Sequence, residues 1–359
     1  MKTVLHVNNT MNIGGIENYL VNVTRNIDLK EYNFKFLCYK NEHFDFEDIL
    51  NSYGCEIIRI SDPKKVSVLK HLKELKSVMK DKKIDIVESH TYFESGIVLL
   101  AAFLTHIKVR IAHSHTTEGL NKVSFIRKAK WSIARCLINM FATKRVACSY
   151  EAGIALFGNK KFEIIENGID MNNFYYDENI RKKLRDEFNL TDEDIVLGHV
   201  GRFDQAKNHE FLIELLSKLV KINENYKLML VGDGVKMSVV KSLVKDKKLE
   251  NHVIFVGSVN DTYRYYNAFD LFVFPSIYEG LGMSLIEAQA NGLACFASSN
   301  VPLESKITEN VQYLNLTNFD DWVKKILNAN KVRNSVDLNN SKYNIKTVVN
   351  KLKNIYGEK

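Results

Sequence analysis

The sequence predicts an α/β protein made of two doubly wound domains facing a central cleft. Three observations carry this. Short apolar runs rich in β-branched and aromatic residues alternate with stretches of helical periodicity. That alternation runs its course twice. The 359 residues suit two domains of ordinary size, each with a buried core. Strands that alternate with helices form parallel sheets covered on both faces.

In the first half the expected strands are Thr3–Asn8, Phe34–Tyr39, Glu56–Ile60, Ile84–Ser89, Val109–His113, Arg145–Cys148 and Glu163–Ile165. Between them Ile16–Ile27 and Val66–Met79 have 3.6-residue periodicity and read as helices. The second half repeats the plan with strands at Ile195–Val200, Lys227–Val231, Val253–Val256, Leu271–Phe274 and Leu293–Ala297. The break follows Asn167-Gly168-Ile169-Asp170, where Met171–Asn179 is polar and has no strand signal. The domains are therefore expected at 1–170 and 171–342, with a helix at Ile345–Ile355 in the last segment (343–359) packing back on the first domain. In such folds ligands bind at the carboxyl ends of the strands.

Composition bounds the function. Hydrophobic content of 45% and charge of 26% are those of an ordinary globular protein. Cys38, Cys55, Cys136, Cys148 and Cys295 are odd in number, scattered and without C-x-x-C spacing, which implies buried free thiols in a reducing compartment. Met1–Asn8 turns polar too soon for a signal peptide, and no apolar run reaches the ~20 residues of a membrane span. A cytoplasmic protein is expected.

The net charge of +7 is uneven. Residues 118–145 hold Lys122, Arg127, Lys128, Lys130, Arg135, Lys144 and Arg145 against Glu118 alone, with Ile126, Ala129, Ile133, Leu137 and Met140 at helical spacing. Two readings stand: a solvated domain helix, or a basic amphipathic helix for an anionic membrane surface. The lysines of 64–83 are interrupted by Glu74 and Asp81 and read as a solvated helix face. Nucleic acid is not expected, since no aromatic-interleaved basic motif, helix-turn-helix or zinc spacing is present.

Glycine-bearing motifs sit at the strand ends. Gly14-Gly15-Ile16-Glu17 follows the first strand, where backbone N–H groups before a helix can approach a phosphate. Gly201-Arg202 to Lys207 follows the first strand of the second domain and offers a planar fork and a point charge for a diphosphate. Gly232-Asp233-Gly234 and Gly257-Ser258 end two further strands and could wall a base. Glu279-Gly280-Leu281-Gly282, with Glu287 five residues on, places one carboxylate on a loop and another on the helix Met283–Ala290. Acceptor-only carboxylates beside N–H groups of a helix start suit a ligand bearing vicinal hydroxyls and phosphate, such as a nucleotide sugar.

Together these motifs resemble the family 4 retaining glycosyltransferases, whose GT-B architecture sets two Rossmann-like domains face to face. The order Gly14–Glu17, Asn167–Asp170, Gly201–Asn208, Val231–Gly234, Phe255–Gly257 and Glu279–Ala288 spans nearly the whole chain. Arg110-Ile111-Ala112-His113-Ser114-His115 and Tyr266–Leu271 have the look of capsule and exopolysaccharide transferases. The resemblance implies that Glu287 holds the ribose hydroxyls and Glu279 those of the donor sugar, helped by Gly280 and the N–H groups of Leu281 and Gly282. Arg202 and Lys207 would neutralise the diphosphate, with Gly15 closing on it from the first domain and Gly257 lining the donor site. A family histidine lies beside the anomeric carbon; His113 and His115 compete for that place and the strand end favours His115, with His90 a lesser candidate.

The expected reaction is transfer of a hexose from a nucleotide sugar, a UDP-hexose, to a lipid-linked saccharide acceptor, with retention at the anomeric carbon. Fixed cations and N–H donors would stabilise the leaving group. No metal and no cofactor are expected, since the only Asp-x-Asp, Asp192-Glu193-Asp194, precedes a strand. The enzyme would sit peripherally on the inner face of the cell membrane through 118–145. A nucleotide-sugar epimerase of the same architecture is the alternative, and an inactive nucleotide-sugar-binding subunit is another. The epimerase does not carry the Glu279–Glu287 element, and the joint presence of His115, Arg202, Lys207 and Glu279 argues against the inactive subunit.

Overall fold

The computed structural model describes residues 1–116, 125–334, 338 and 341–357, with the backbone alone for 125–128. The chain divides into two compact units, Met1–Ile169 with Lys342–Lys359, and Asp170–Ser341.

The first unit contains a seven-stranded sheet: β1 (Lys2–Val7), β2 (Tyr32–Cys38), β3 (Glu56–Arg59), β4 (Ile86–Ser89), β5 (Val109–Ser114), β6 (Lys144–Ala147) and β7 (Glu163–Ile164). Its order is β3-β2-β1-β4-β5-β6-β7, and every neighbour is parallel. The second unit repeats the design with β8 (Ile195–Val200), β9 (Tyr226–Val231), β10 (Val253–Gly257), β11 (Leu271–Phe274), β12 (Ala294–Ser298) and β13 (Val311–Leu314). Its order is β10-β9-β8-β11-β12-β13, again all parallel. Two doubly wound parallel sheets are the fold the sequence predicts. Chain direction across each sheet reverses once, between β1 and β4 and between β8 and β11. Those are the switch points at which α/β sheets open a crevice for ligands.

Periodicity explains the packing. On the helix His209–Ile222, Leu212, Leu215, Leu216 and Leu219 fall on one stripe and are all buried, with Trp322 and the apolar face of the sheet. Each such side chain contributes about 1.5–3 kcal/mol on burial. In the first unit the terminal helix Ile345–Ile355 buries Ile345, Val348, Leu352 and Ile355 among Tyr32, Phe34 and Phe36 of β2. The opposite face of that sheet is covered by Leu75, Met79, Val98, Ala101 and Ala102.

Three features add to the sequence reading. Strand β13 was not expected: only Val311 and Leu314 of its four residues are buried, and an edge strand this short leaves little apolar signal. The polar stretch after Asp170 holds a helical turn at Met171–Phe174 and the start of a helix at Glu178. Asp170 caps the first at the Asn172 N–H and Asp177 the second at the Asn179 and Ile180 N–H groups. The basic segment is the third.

A helix does run over Phe125–Phe141, but residues 118–124 and the side chains of Arg127 and Lys128 lie outside the described residues. Arg135 donates to the carbonyls of Ala155 and Leu156, and Arg145 to the carbonyl of Asn139, so two of the seven cations cap backbone and are not free surface charge. Trp131 stacks on Phe93 at 4.8 Å and Ile138 is buried, whereas Ile133 and Met140 are exposed. Cys38, Cys55 and Cys295 are buried thiols, Cys148 is half-buried and Cys136 is exposed. No helix among the described residues is long and apolar enough to cross a membrane.

Candidate active site

In the second unit the switch point gathers the residues at the ends of β8 and β11. Phe272 pairs with Gly198 in register, so the loops leaving Val200 and Phe274 start side by side. The β8 loop carries Lys207, whose Nζ lies 2.7 Å from Glu279 Oε1 of the β11 loop and 4.8 Å from the centre of the Phe274 ring. Both charged side chains are mostly buried, 16% and 11% exposed. Lys207 also acts electrostatically on Glu287. Asn208, capping the next helix with left-handed backbone, donates to the carbonyl of Pro275 and ties the two loops together.

The β11 loop turns into the helix Met283–Ala290 at Gly282, whose φ of +88° a side chain would strain. Among the described residues, the N–H groups of Leu281, Gly282 and Met283 donate to no protein acceptor. They are unspent donors at a helix start, beside Lys207 and Glu279. Glu287 lies on the first turns of that helix, where Tyr266 donates to its Oε2 at 2.6 Å. Burial raises the Glu287 carboxyl above its ordinary range, against the opposing pull of the Tyr266 hydroxyl and Lys207. Gly232 has a φ of +138°, and any Cβ there would stand 2.1 Å from the Gly201 carbonyl oxygen. That contact lets the β9 loop touch the β8 loop. Gly257 closes β10 and accepts the N–H of Gly232 at 2.8 Å. Arg202 is exposed and bonds to none of these groups.

In the first unit the loop after β1 enters the helix Gly15–Asn26 with Gly14 as its cap, and the space where a Gly15 side chain would stand is open. Beside it, at the ends of β1, β4 and β5, four histidines meet. His113 is fully buried, with Nδ1 2.7 Å from Glu88 Oε1. His115 is half-buried, with Nδ1 3.1 Å from Asn167 Oδ1 and Nε2 2.9 Å from His90 Nδ1. His90 Nε2 is 3.2 Å from His6 Nδ1. Burial holds all four imidazoles below their ordinary range, His6 to about 4 and His113 to about 3, so they are neutral at pH 7.

The structure thus gathers Lys207, Glu279, Gly280, Leu281, Gly282 and Glu287 at one switch point and His115 at the other, with Gly15 at the neighbouring loop. Arg202 stands apart. Sequence reasoning assigned no role to Glu88, Asn167 or Tyr266. Glu88 had a signal, being a carboxylate inside the apolar strand Ile86–Ser89. Asp192-Glu193-Asp194 lies at the start of β8, the end opposite Gly201, where Asp194 accepts from the Thr191 N–H and hydroxyl. Among the described residues, His90, His113 and His115 bring one ligand atom each within 4.8 Å of the others, as do His6, Glu88 and His90.

Comparison with known proteins decides the family. Residues 13–173 match Glycosyltransferase Family 4 and residues 180–342 match Glycosyl transferases group 1. EpsF of Bacillus subtilis (strain 168), named as a glycosyltransferase, is 31% identical over 306 residues, 84% of this chain and 80% of its own. The chain belongs to the family 4 glycosyltransferases. The capsular polysaccharide biosynthesis glycosyltransferase CapH of Staphylococcus aureus is 28% identical over 100% of this chain and 99% of its own. The UDP-Gal:alpha-D-GlcNAc-diphosphoundecaprenol alpha-1,3-galactosyltransferase of Escherichia coli is 25% identical over 88% and 89%. Among solved structures, Anabaena Alr3699/HepE in complex with UDP and glucose superposes with a TM-score of 0.80 at 18% identity, covering 99% of both chains. This transferase has the GT-B fold and is similar over its whole length to a transferase of capsular polysaccharide biosynthesis.

Proposed function

We propose that this transferase moves a hexose from a UDP-sugar to a lipid-linked saccharide with retention of anomeric configuration, and that it needs no metal to do so. One observation carries the reading: Lys207, with Glu279 on it and Glu287 near it, stands beside unspent N–H donors at the second switch point. A diphosphate arriving there offers Lys207 a new anionic partner. Glu279, released from its ion pair, can then accept hydrogen bonds from sugar hydroxyls, while Glu287 accepts from the ribose. The donor and acceptor named for the Escherichia coli relative, and the UDP held by Alr3699/HepE, agree in chemistry with such a site.

Breaking the bond from sugar C1 to the diphosphate oxygen leaves positive charge on the sugar and negative charge on UDP. Lys207 and the N–H groups of Leu281 and Gly282 are a fixed charge and fixed dipoles for that negative end, and Arg202, exposed on the same loop as Lys207, would have to swing onto it. The acceptor hydroxyl attacks C1 from the face the diphosphate leaves, and its proton passes to the departing phosphate oxygen. No protein nucleophile enters this scheme. For the acceptor, the first unit has an open cavity of ≈1050 Å³ at the ends of β2 and β3, lined by Lys40, Arg59 and Lys65 with Glu42, Asp62 and Glu74. Mixed cations and carboxylates of this kind suit a saccharide. Docking on the inner face of the cell membrane would use the exposed Lys130, Ile133 and Met140 of the helix Phe125–Phe141.

The test is incubation of the purified protein with a panel of UDP- and GDP-sugars, following slow hydrolysis of each and then transfer to a diphosphate-linked lipid saccharide. Turnover of one UDP-hexose with an α-linked product is expected. An inverted product, or turnover of none of the panel, would overturn the proposal.

A further inference from the structure

The four clustered histidines of the first unit, His6, His90, His113 and His115, do more than fill space. Three of them are bonded in series: Asn167 Oδ1 to His115 Nδ1, His115 Nε2 to His90 Nδ1, and His90 Nε2 to His6 Nδ1, at 3.1, 2.9 and 3.2 Å. A neutral imidazole has one N–H and one lone pair, so each ring fixes the next. The whole chain has only two states, one with every proton pointing toward Asn167 and one with every proton pointing away.

Both ends select the first. At the outer end, the Asn167 carbonyl oxygen needs a proton on His115 Nδ1. At the inner end, Glu88 Oε2 lies 3.7 Å from His6 Nδ1 and favours a proton there. The reversed chain would turn the His6 Nδ1 lone pair toward that carboxylate. It would also bury an N–H at His6 Nε2, which has no hydrogen-bond partner. A buried bare N–H is rarer and costlier than a bare acceptor. Glu88 is itself held in place by His113, which donates to Oε1 at 2.7 Å, and by the Tyr356 hydroxyl, which donates to Oε2 at 2.5 Å.

We propose that His90, with His6 behind it, is a positioning residue that locks His115 as the Nδ1–H tautomer. In that state the His115 Nε2 lone pair accepts from His90 and its single N–H is held by Asn167, so the ring has no free lone pair with which to act as a base. The proton of the acceptor hydroxyl must then go elsewhere, which agrees with its transfer to the departing phosphate. The kinetic part of this inference rests on the proposed transferase reaction; the tautomer does not. The same side chains do not suit an ion well. His90 and His115 face each other at hydrogen-bond distance, and the His113 and His115 rings stack at 4.1 Å and 27°, so their lone pairs run alongside and do not converge.

The experiment uses the full chain labelled with 15N-histidine, with His115→Asn to assign the His115 resonances. Long-range proton–nitrogen spectra are expected to show His115 protonated on Nδ1, the minor tautomer of a free histidine. In Asn167→Ala, where the His90 side alone selects, the proton should stay on Nδ1; adding His90→Phe should let it revert to Nε2–H, and kcat should then fall on the order of 10²-fold below Asn167→Ala with the donor KM unchanged. In the same Asn167→Ala background His90→Asn, whose amide can still donate to His115 Nε2, should keep the Nδ1–H tautomer and recover at least tenfold of the lost rate. An Nε2–H tautomer in the wild type overturns the lock even if the variants do not fold. So does an unchanged tautomer when His90→Phe is added to Asn167→Ala, or stoichiometric zinc in the purified protein. If the tautomers behave as expected but the wild type turns over no nucleotide sugar, the proposed reaction fails and the lock stands.

Discussion

Truncating Lys207 separates its two roles. Its ammonium stands 2.7 Å from Glu279, with the two side chains only 16% and 11% exposed. Lys207→Ala removes the cation that would face the leaving diphosphate, a loss of about 2.7–4 kcal/mol in the transition state, or 10²–10³ in kcat. It also strands the Glu279 carboxylate in a mostly buried place, at a cost of about 1–3 kcal/mol in stability. Arg202→Ala should lower kcat by a similar factor. Stability should change by no more than about 0.5 kcal/mol, because Arg202 is exposed and has no partner among the described residues. Adding Glu279→Gln to Lys207→Ala should recover stability, since the stranded charge is gone, but recover no turnover. Urea unfolding of the four proteins and UDP-sugar hydrolysis would measure both effects. Wild-type kcat in both single variants would refute the diphosphate clamp. A double variant no more stable than Lys207→Ala would refute the claim that Glu279 depends on Lys207.

Three further outcomes are expected. Because burial raises the Glu287 carboxyl, the unfolded chain releases that proton at lower pH than the folded one, so this group costs stability as pH rises through the carboxylate range. Glu287→Gln should therefore melt higher than wild type at pH 7, converge with it in acid and bind UDP more weakly; equal melting curves at pH 7 would remove the argument. Chelator should leave turnover unchanged, whereas a loss restored by Mn²⁺ or Mg²⁺ would turn carboxylates assigned here to sugar hydroxyls into metal ligands. Reversing Arg127, Lys128 and Lys130 to Glu should release the protein from anionic vesicles, each cation contributing about 1 kcal/mol, while sparing donor hydrolysis; unchanged sedimentation would leave that helix no membrane role.

What the sequence made legible is what the backbone pattern dictates. A run such as Leu271-Phe272-Val273-Phe274 can only be a strand buried on both faces, and the glycines after Phe274 and Val200 can only be its exit loops. Residues carried by those loops are therefore readable by position, which is how Lys207 and Glu279 were picked out as candidates, with Glu287 on the helix that follows. Strand β13 escaped because Gln312 and Tyr313 interrupt its two buried residues. The charge count over 118–145 overstates the free surface charge for a related reason. Formal charge along a helix says nothing about which guanidinium turns inward to cap carbonyls, as Arg135 and Arg145 do.

The tautomer lock was out of reach for a different reason. His6, His90, His115 and Asn167 are each separated from the next in the chain of bonds by between 25 and 84 positions, and only the β1-β4-β5 order brings them together. Read singly, each is a polar residue near a strand end, and most such residues only satisfy a neighbour. The sheet changes their meaning, because three adjacent parallel strands end level and put three imidazoles in one row. Neither Asn167 nor Glu88 touches the other, yet each sets the proton on the ring beside it, and the rings between leave no independent choice. A role distributed in this way belongs to the topology. It can be read from a sequence only after the strand order is known, whereas the proposed diphosphate clamp lies within two loops whose exits the strands already announce.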